Sequence, residues 1–107
     1  MKKRLSKKQL LQILKKEQPF LQEKYGVVKI AIYGSYAQNK QTQKSDVDIL
    51  VQLTSPLGLE FVELANHLEK ALGRKVDLAT FEDLQRTMGN MRRRHIALNI
   101  QNSLSYV

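Results

Sequence analysis

No cysteine occurs in the 107 residues, so disulfides and thiolate metal sites are excluded and a reducing, cytoplasmic compartment is expected. Tryptophan is also absent, and aromatic residues make up only 7% of the chain, which leaves aliphatic side chains to build the core. No apolar run approaches the ~20 residues that a membrane-spanning helix needs. The basic start Met1-Lys2-Lys3-Arg4 leads into an alternating Lys-rich segment, not the unbroken apolar stretch of a secretory leader. Neither a G-x-x-x-x-G-K-S/T phosphate loop nor a G-x-G-x-x-G fingerprint is present, so P-loop and dinucleotide-fold readings lack support. Acidic residues are the scarcer charge: ten Asp and Glu stand against eighteen Lys and Arg, a formal net charge of +8. That imbalance suits a partner rich in phosphate or carboxylate, and charge alone does not separate nucleic acid, a nucleoside triphosphate and an acidic protein surface.

What is present has the composition of an ordinary globular protein, 42% apolar and 26% charged. A length of 107 residues implies a single domain spanning 1–107. Ser6 with Gln9 three residues on reads as a capping box, and Leu10, Ile13, Leu14 and Leu21 continue at helical steps. Pro19 is expected to kink or restart this helix, and Tyr25-Gly26 to end it. Residues 27–33 (VVKIAIY) read as a largely buried strand that Gly34-Ser35 stops, with a short helical turn at Ser35-Tyr36-Ala37 and a polar loop over 38–45. Residues 46–53 (DVDILVQL) form a second strand, and Ser55-Pro56-Leu57-Gly58 a turn. A helix follows, with Leu59, Phe61, Val62, Leu64, Ala65, Leu68 and Leu72 on its buried side and Gly73 as its cap. Residues 75–79 make a short third strand. Thr80 with Asp83 opens a helix carrying Phe81, Leu84 and Met88; Gly89-Asn90 breaks it, and a last helix over about 91–103 puts Ile96, Ile100 and Leu104 on one stripe. This order predicts an α/β domain with helices flanking a short mixed sheet.

The chemistry-bearing residues are acidic. Asp46 and Asp48 stand two apart on a predicted strand, which puts both carboxylates on one face and Val47 on the other. Two such anions repel unless a cation lies between them, and hard oxygen ligands of this kind suit Mg²⁺ together with waters and substrate phosphates. Asp77 is a third carboxylate in an otherwise apolar strand; strand pairing beside the second strand would bring it to the same cluster. Alone, an Asp-x-Asp is as readily a solvated strand start. The whole arrangement says more: an apolar strand, Gly34-Ser35 at its end, a polar loop, Asp46-x-Asp48, then Asp77. Glycine lets a phosphate approach the backbone closely, and Ser35 adds a hydroxyl and amide donors. A phosphate clamp facing an acidic metal site is equipment for phosphoryl or nucleotidyl transfer.

Gly34-Ser35-Tyr36-Ala37, a spacer of ten residues after Ser35, and Asp46-Val47-Asp48 together resemble the signature of the DNA polymerase β-type nucleotidyltransferase superfamily. Gly73-Arg74-Lys75-Val76-Asp77-Leu78 is similar to the strand that gives that family its third carboxylate, and the likeness is strongest over residues 27–80. Small size points to the minimal nucleotidyltransferases, whose best-known members are antitoxins paired with HEPN-domain toxins. The resemblance implies a polymerase β-like fold, Gly34 and Ser35 as triphosphate contacts, and Asp46, Asp48 and Asp77 as ligands of one Mg²⁺ ion or two. Asp77 would also help to deprotonate the attacking hydroxyl. It further implies transfer of AMP from ATP to a tyrosine hydroxyl of a partner HEPN toxin, with neither a membrane nor directly bound nucleic acid as partner. The alternatives are an antitoxin that blocks its partner sterically without catalysis, and a nucleotidyltransferase acting on RNA ends or a small molecule. One departure stands out: many relatives follow Gly-Ser-x with Ala-Arg-Gly, whereas Ala37 here precedes Gln38-Asn39, so a basic phosphate contact has to come from elsewhere, for instance Lys40 or Lys44.

Other conspicuous residues are read as structural. His67, on the exposed side of its helix, and His95, after an arginine run, lack a second ligand at metal spacing. Tyr25, Tyr33, Tyr36 and Tyr106 are read as packing or rim residues, with Tyr36 beside Ser35 at the edge of a nucleotide, and Phe20 and Phe61 as core. Arg92-Arg93-Arg94 is a solvated face first and a contact for an acidic partner second.

Overall fold

The computed structural model describes residues 5–42, 44–88 and 104–107. The expected last helix, with Arg92-Arg93-Arg94, His95, Ile96 and Ile100, lies outside them.

Ser6 opens α1 (Lys7–Tyr25) by the expected reciprocal pair: its hydroxyl accepts from the Gln9 amide at 3.1 Å, and the Gln9 side chain accepts from the Ser6 amide at 3.0 Å. The helix runs through Pro19 and ends where Gly26 turns left-handed at φ 70°. β1 (Val27–Tyr33) follows, then the single turn α2 (Gly34–Ala37), and after the loop β2 (Val47–Leu53). α3 (Glu60–Leu72), capped by left-handed Gly73, leads to β3 (Val76–Thr80). α4 (Phe81–Met88) starts on another reciprocal cap, with the Asp83 amide donating to the Thr80 hydroxyl at 3.0 Å. The final element, β4 (Ser105–Tyr106), is one the sequence reading does not contain; Leu104, expected on a helical stripe, directly precedes it. Two residues are too few to show a period, and they are held by pairing with β1.

The sheet is mixed, in the order β3-β2-β1-β4, with β2 and β3 parallel and the other pairs antiparallel. α1 and α3 cover one face. Leu10, Leu14 and Leu21 from α1 and Leu64, Leu68 and Leu72 from α3 close over Ile30, Ile32, Val47, Ile49 and Val51. On the other face, Leu84 of α4 meets Leu50 beside Tyr33, Ala79, Phe81 and Leu104. Each fully buried aliphatic side chain contributes about 1.5–3 kcal/mol, so the first face carries most of the stabilisation.

Several expected core positions are solvent-facing. Leu59 is 86% and Val62 58% exposed, because burial on α3 follows the four-residue row of Leu64, Leu68 and Leu72, and Val62 lies off it. Phe20 is 41% exposed, one residue off the stripe of Leu10, Leu14, Leu21 and Tyr25. It instead lies against His67, with ring centres 4.8 Å apart. His67 is half-buried rather than exposed, and its Nε2 sits 2.9 Å from Glu17 Oε2, joining α3 to α1.

Candidate active site

β1, β2 and β3 bring the candidate residues into one row. Tyr33 on β1 stands opposite Asp48 on β2, and Asp48 lies beside Asp77 on parallel β3. Neighbouring strands are roughly 4.8 Å apart, so the carboxylates of Asp48 and Asp77 are immediate neighbours on one face. Asp46 precedes β2 rather than starting it, in a segment set by one local contact and one across to the residue before β3. The Ser45 hydroxyl accepts from the Thr42 amide at 2.9 Å, and the Val47 amide donates to the Lys75 carbonyl at 2.8 Å. Asp46 and Asp77 are exposed and Asp48 is half-buried; the carboxylate on β3 is therefore not a buried one, despite its apolar neighbours in sequence.

Gly34 closes the row. Its φ of 71° is left-handed, and a Cβ added there would collide with Asp48 Oδ2, so both the turn and the space beside the carboxylate require glycine. The Lys40 amide donates to the Ser35 carbonyl at 2.8 Å and the Asn39 amide to the Tyr36 carbonyl at 3.3 Å, folding the chain tightly after α2. Asn39 is left-handed at φ 58°, a conformation that asparagine tolerates better than most residues. Tyr36 is buried at 1% exposure and packs in the core.

Electrostatics mark the same spot. Partial burial, then the charge of Asp77, then that of Asp46, push the Asp48 carboxyl up to about 6. Burial first, then Asp77 and Asp48, push the Tyr33 phenol up to about 12, so it remains protonated beside the carboxylates. Among the described residues, no ion pair involves Asp46, Asp48 or Asp77. Mutual repulsion without a cationic partner is what a divalent cation would relieve. No group of three His, Cys, Asp or Glu side chains among the described residues is arranged to hold a metal ion. The donor set therefore fits a cation that takes one or two carboxylates and fills its shell with water and phosphate oxygens, as Mg²⁺ does, better than a cage of three.

A profile of the nucleotidyltransferase domain matches residues 7–104. The chain belongs to that family. A Methanocaldococcus jannaschii protein provisionally named a protein adenylyltransferase is 45% identical over 96 residues, which cover 89% of this chain and 91% of that one. The protein adenylyltransferase MntA of Thermococcus cleftensis is 38% identical over 82 residues, or 76% of this chain and 83% of that one. A crystal structure described as a toxin–antitoxin with AMP-PNP superimposes with a TM-score of 0.53 at 30% identity, over 73% of this chain and 59% of that chain. The nucleotidyltransferase assignment agrees with the mixed sheet and with the Gly34-Ser35 and Asp46-x-Asp48 spacing. Two residues near the site carried no local sign in the sequence. Tyr33 becomes a neighbour of the carboxylates only through strand register, and Lys7 reaches the Ala37 carbonyl at 2.9 Å from thirty positions away. Lys40 and Lys44, the cations expected near the phosphates, are exposed. No helix among the described residues is long and apolar enough to cross a membrane.

Proposed function

We propose that this nucleotidyltransferase is an antitoxin that transfers AMP from ATP to a tyrosine hydroxyl of a HEPN-domain toxin bound to it. The observation that carries the proposal is the row in which Asp48 and Asp77 lie side by side on parallel strands, with Gly34 against Asp48. Support for the adenylyl group comes from relatives named protein adenylyltransferases, and for the partner from the toxin–antitoxin likeness.

In this mechanism Gly34 and Ser35 hold the triphosphate by backbone approach, amide donors and the Ser35 hydroxyl. One or two of the carboxylates of Asp46, Asp48 and Asp77 would hold Mg²⁺, with water and phosphate oxygens filling its shell; when bound it would neutralise phosphate charge and stabilise the attacking and leaving oxygens. The acceptor hydroxyl oxygen forms a bond to the α-phosphorus, the bond from that phosphorus to the bridging oxygen breaks, and pyrophosphate leaves. Asp77, exposed at the sheet edge, takes the hydroxyl proton. The new phosphodiester adds charge and bulk to the toxin, which silences it.

Co-expression with the toxin tests this directly. The chain should copurify with it, and the toxin should gain mass in increments of AMP on a tyrosine. An unmodified toxin, with wild type and the Asp46→Asn, Asp48→Asn variant protecting cells equally, would establish steric blocking instead. Labelled nucleotide appearing on RNA ends would establish the RNA-directed alternative.

A further inference from the structure

We propose that Lys7 is a positioning residue for the nucleotide, anchoring from α1 the end of the short turn that carries Gly34 and Ser35. The proposal rests on the nucleotidyl-transfer reading and names a residue which that reading leaves unused.

The observation is a hydrogen bond. Lys7 Nζ donates to the Ala37 carbonyl at 2.9 Å, partly buried, linking the first turn of α1 to the last residue of α2. The position is unfavourable for α1 itself, because a cation in a first turn opposes the helix dipole, and that turn holds no acidic residue to offset it. What compensates is the far end of the bond, where a carbonyl at the end of α2 carries partial negative charge and lacks a helical donor. A lysine that costs its own helix and completes another serves the second one.

Geometry makes the bond matter to Ser35. α2 has four residues and is about 6 Å long, so a bond that fixes Ala37 at its C-terminal end holds one end of the same short turn whose other end carries the Ser35 amide. The base of the lysine is rigid, since the Ser6–Gln9 capping pair fixes the residue immediately before Lys7. Among the described residues that follow, Gln38 and Asn39 are neutral, and Lys40 and Lys44 are exposed. With Ala37 anchored from outside, the Gly34-Ser35 turn keeps its amides and hydroxyl aimed while Asn39 takes the left-handed bend at φ 58°. Lys7 thus acts through the turn; the carboxylate row on β2 and β3 is untouched by it.

The test separates binding from chemistry. Lys7→Met keeps the apolar stem and removes the donor, Lys7→Arg keeps a charged donor, and Lys7→Gln keeps a neutral one. For Lys7→Met the KM for ATP, and the Kd for Mg·ATP by calorimetry, should rise about five- to tenfold with kcat within about twofold of wild type. Lys7→Arg should restore most of the affinity and Lys7→Gln less. Melting temperatures of the nucleotide-free proteins control for folding, and should Lys7→Met not fold, the Arg and Gln pair carries the comparison. A lowered melting temperature with unchanged Kd in the variants would reduce the bond to a structural tie and overturn the proposal. Equal losses in Lys7→Arg and Lys7→Met would overturn it too, by showing no dependence on the donor. A wild-type chain that binds no Mg·ATP would overturn the nucleotidyl-transfer reading, and the role of Lys7 with it.

Discussion

The two faces of β2 are made of the same seven residues and behave as different materials. Val47, Ile49 and Val51 are all 0% exposed under α1 and α3, packed on every side. On the other face Asp48 is half-buried, Leu50 is 2% exposed under α4, and Gln52 is exposed, so polarity changes at each step. The dense face fixes the register of β1, β2 and β3, and the register fixes Tyr33, Asp48 and Asp77 in line on the sparse one. Rigidity and chemistry are thus divided across a single strand. Electrostatic tension, the repulsion that lifts the Asp48 carboxyl, is tolerated because the opposite face holds the strand in place.

Substitutions on the two faces should therefore differ in kind. The largest effect is expected from Asp46→Asn combined with Asp48→Asn: AMP transfer, followed by labelled nucleotide or mass increments, should fall to background with the fold intact by circular dichroism. Near-normal transfer would end the assignment of these carboxylates. Next comes Asp77→Ala, which should slow turnover about 10²–10⁴-fold, with a smaller effect on nucleotide affinity and little on melting temperature. A loss of stability at unchanged specific activity would make Asp77 structural. On the packed face, Ile49→Ala should cost about 2–5 kcal/mol in urea unfolding, while each folded molecule transfers AMP at the wild-type rate.

The smallest effect has the opposite sign. The folded-state pKa of Asp48, about 6, lies above the ordinary value of 3.8, so the folded chain binds this proton more readily than the unfolded chain. The contribution is favourable at low pH and is lost as pH rises through about 6. Asp48→Asn should therefore stabilise the metal-free protein at pH 7–8, by about 1 kcal/mol because solvent screens a half-exposed carboxylate, and the gain should vanish near pH 4. Melting curves across that range check it; a variant less stable than wild type at pH 8 would mean that Asp48 makes a favourable contact in the absence of metal.

The candidate site was legible to the extent that its parts are local. Gly34-Ser35 and Asp46-x-Asp48 declare themselves through residue type and spacing, and Asp77 through being a carboxylate in an otherwise apolar strand, its role coming from the resemblance. That Asp48 and Asp77 are neighbours depends on β2 pairing with β3 in one register, which no short window of sequence contains. Lys7 was invisible for the same reason, its partner being thirty positions distant.

By itself the sequence determined the elements whose hydrogen bonds close over three or four residues. These are the caps at Ser6–Gln9 and Thr80–Asp83, the left-handed stops at Gly26 and Gly73, the strand over Val27–Tyr33 and the turn at Gly34–Ala37. Tertiary structure decided the rest. It left Leu59, Val62 and Phe20 in solvent, turned His67 inward to Glu17, added β4 at the sheet edge and set Tyr33 beside the carboxylates. The physical reason is range. Backbone caps and turns are satisfied by near neighbours, whereas burial and carboxylate repulsion depend on which surfaces the whole chain brings together.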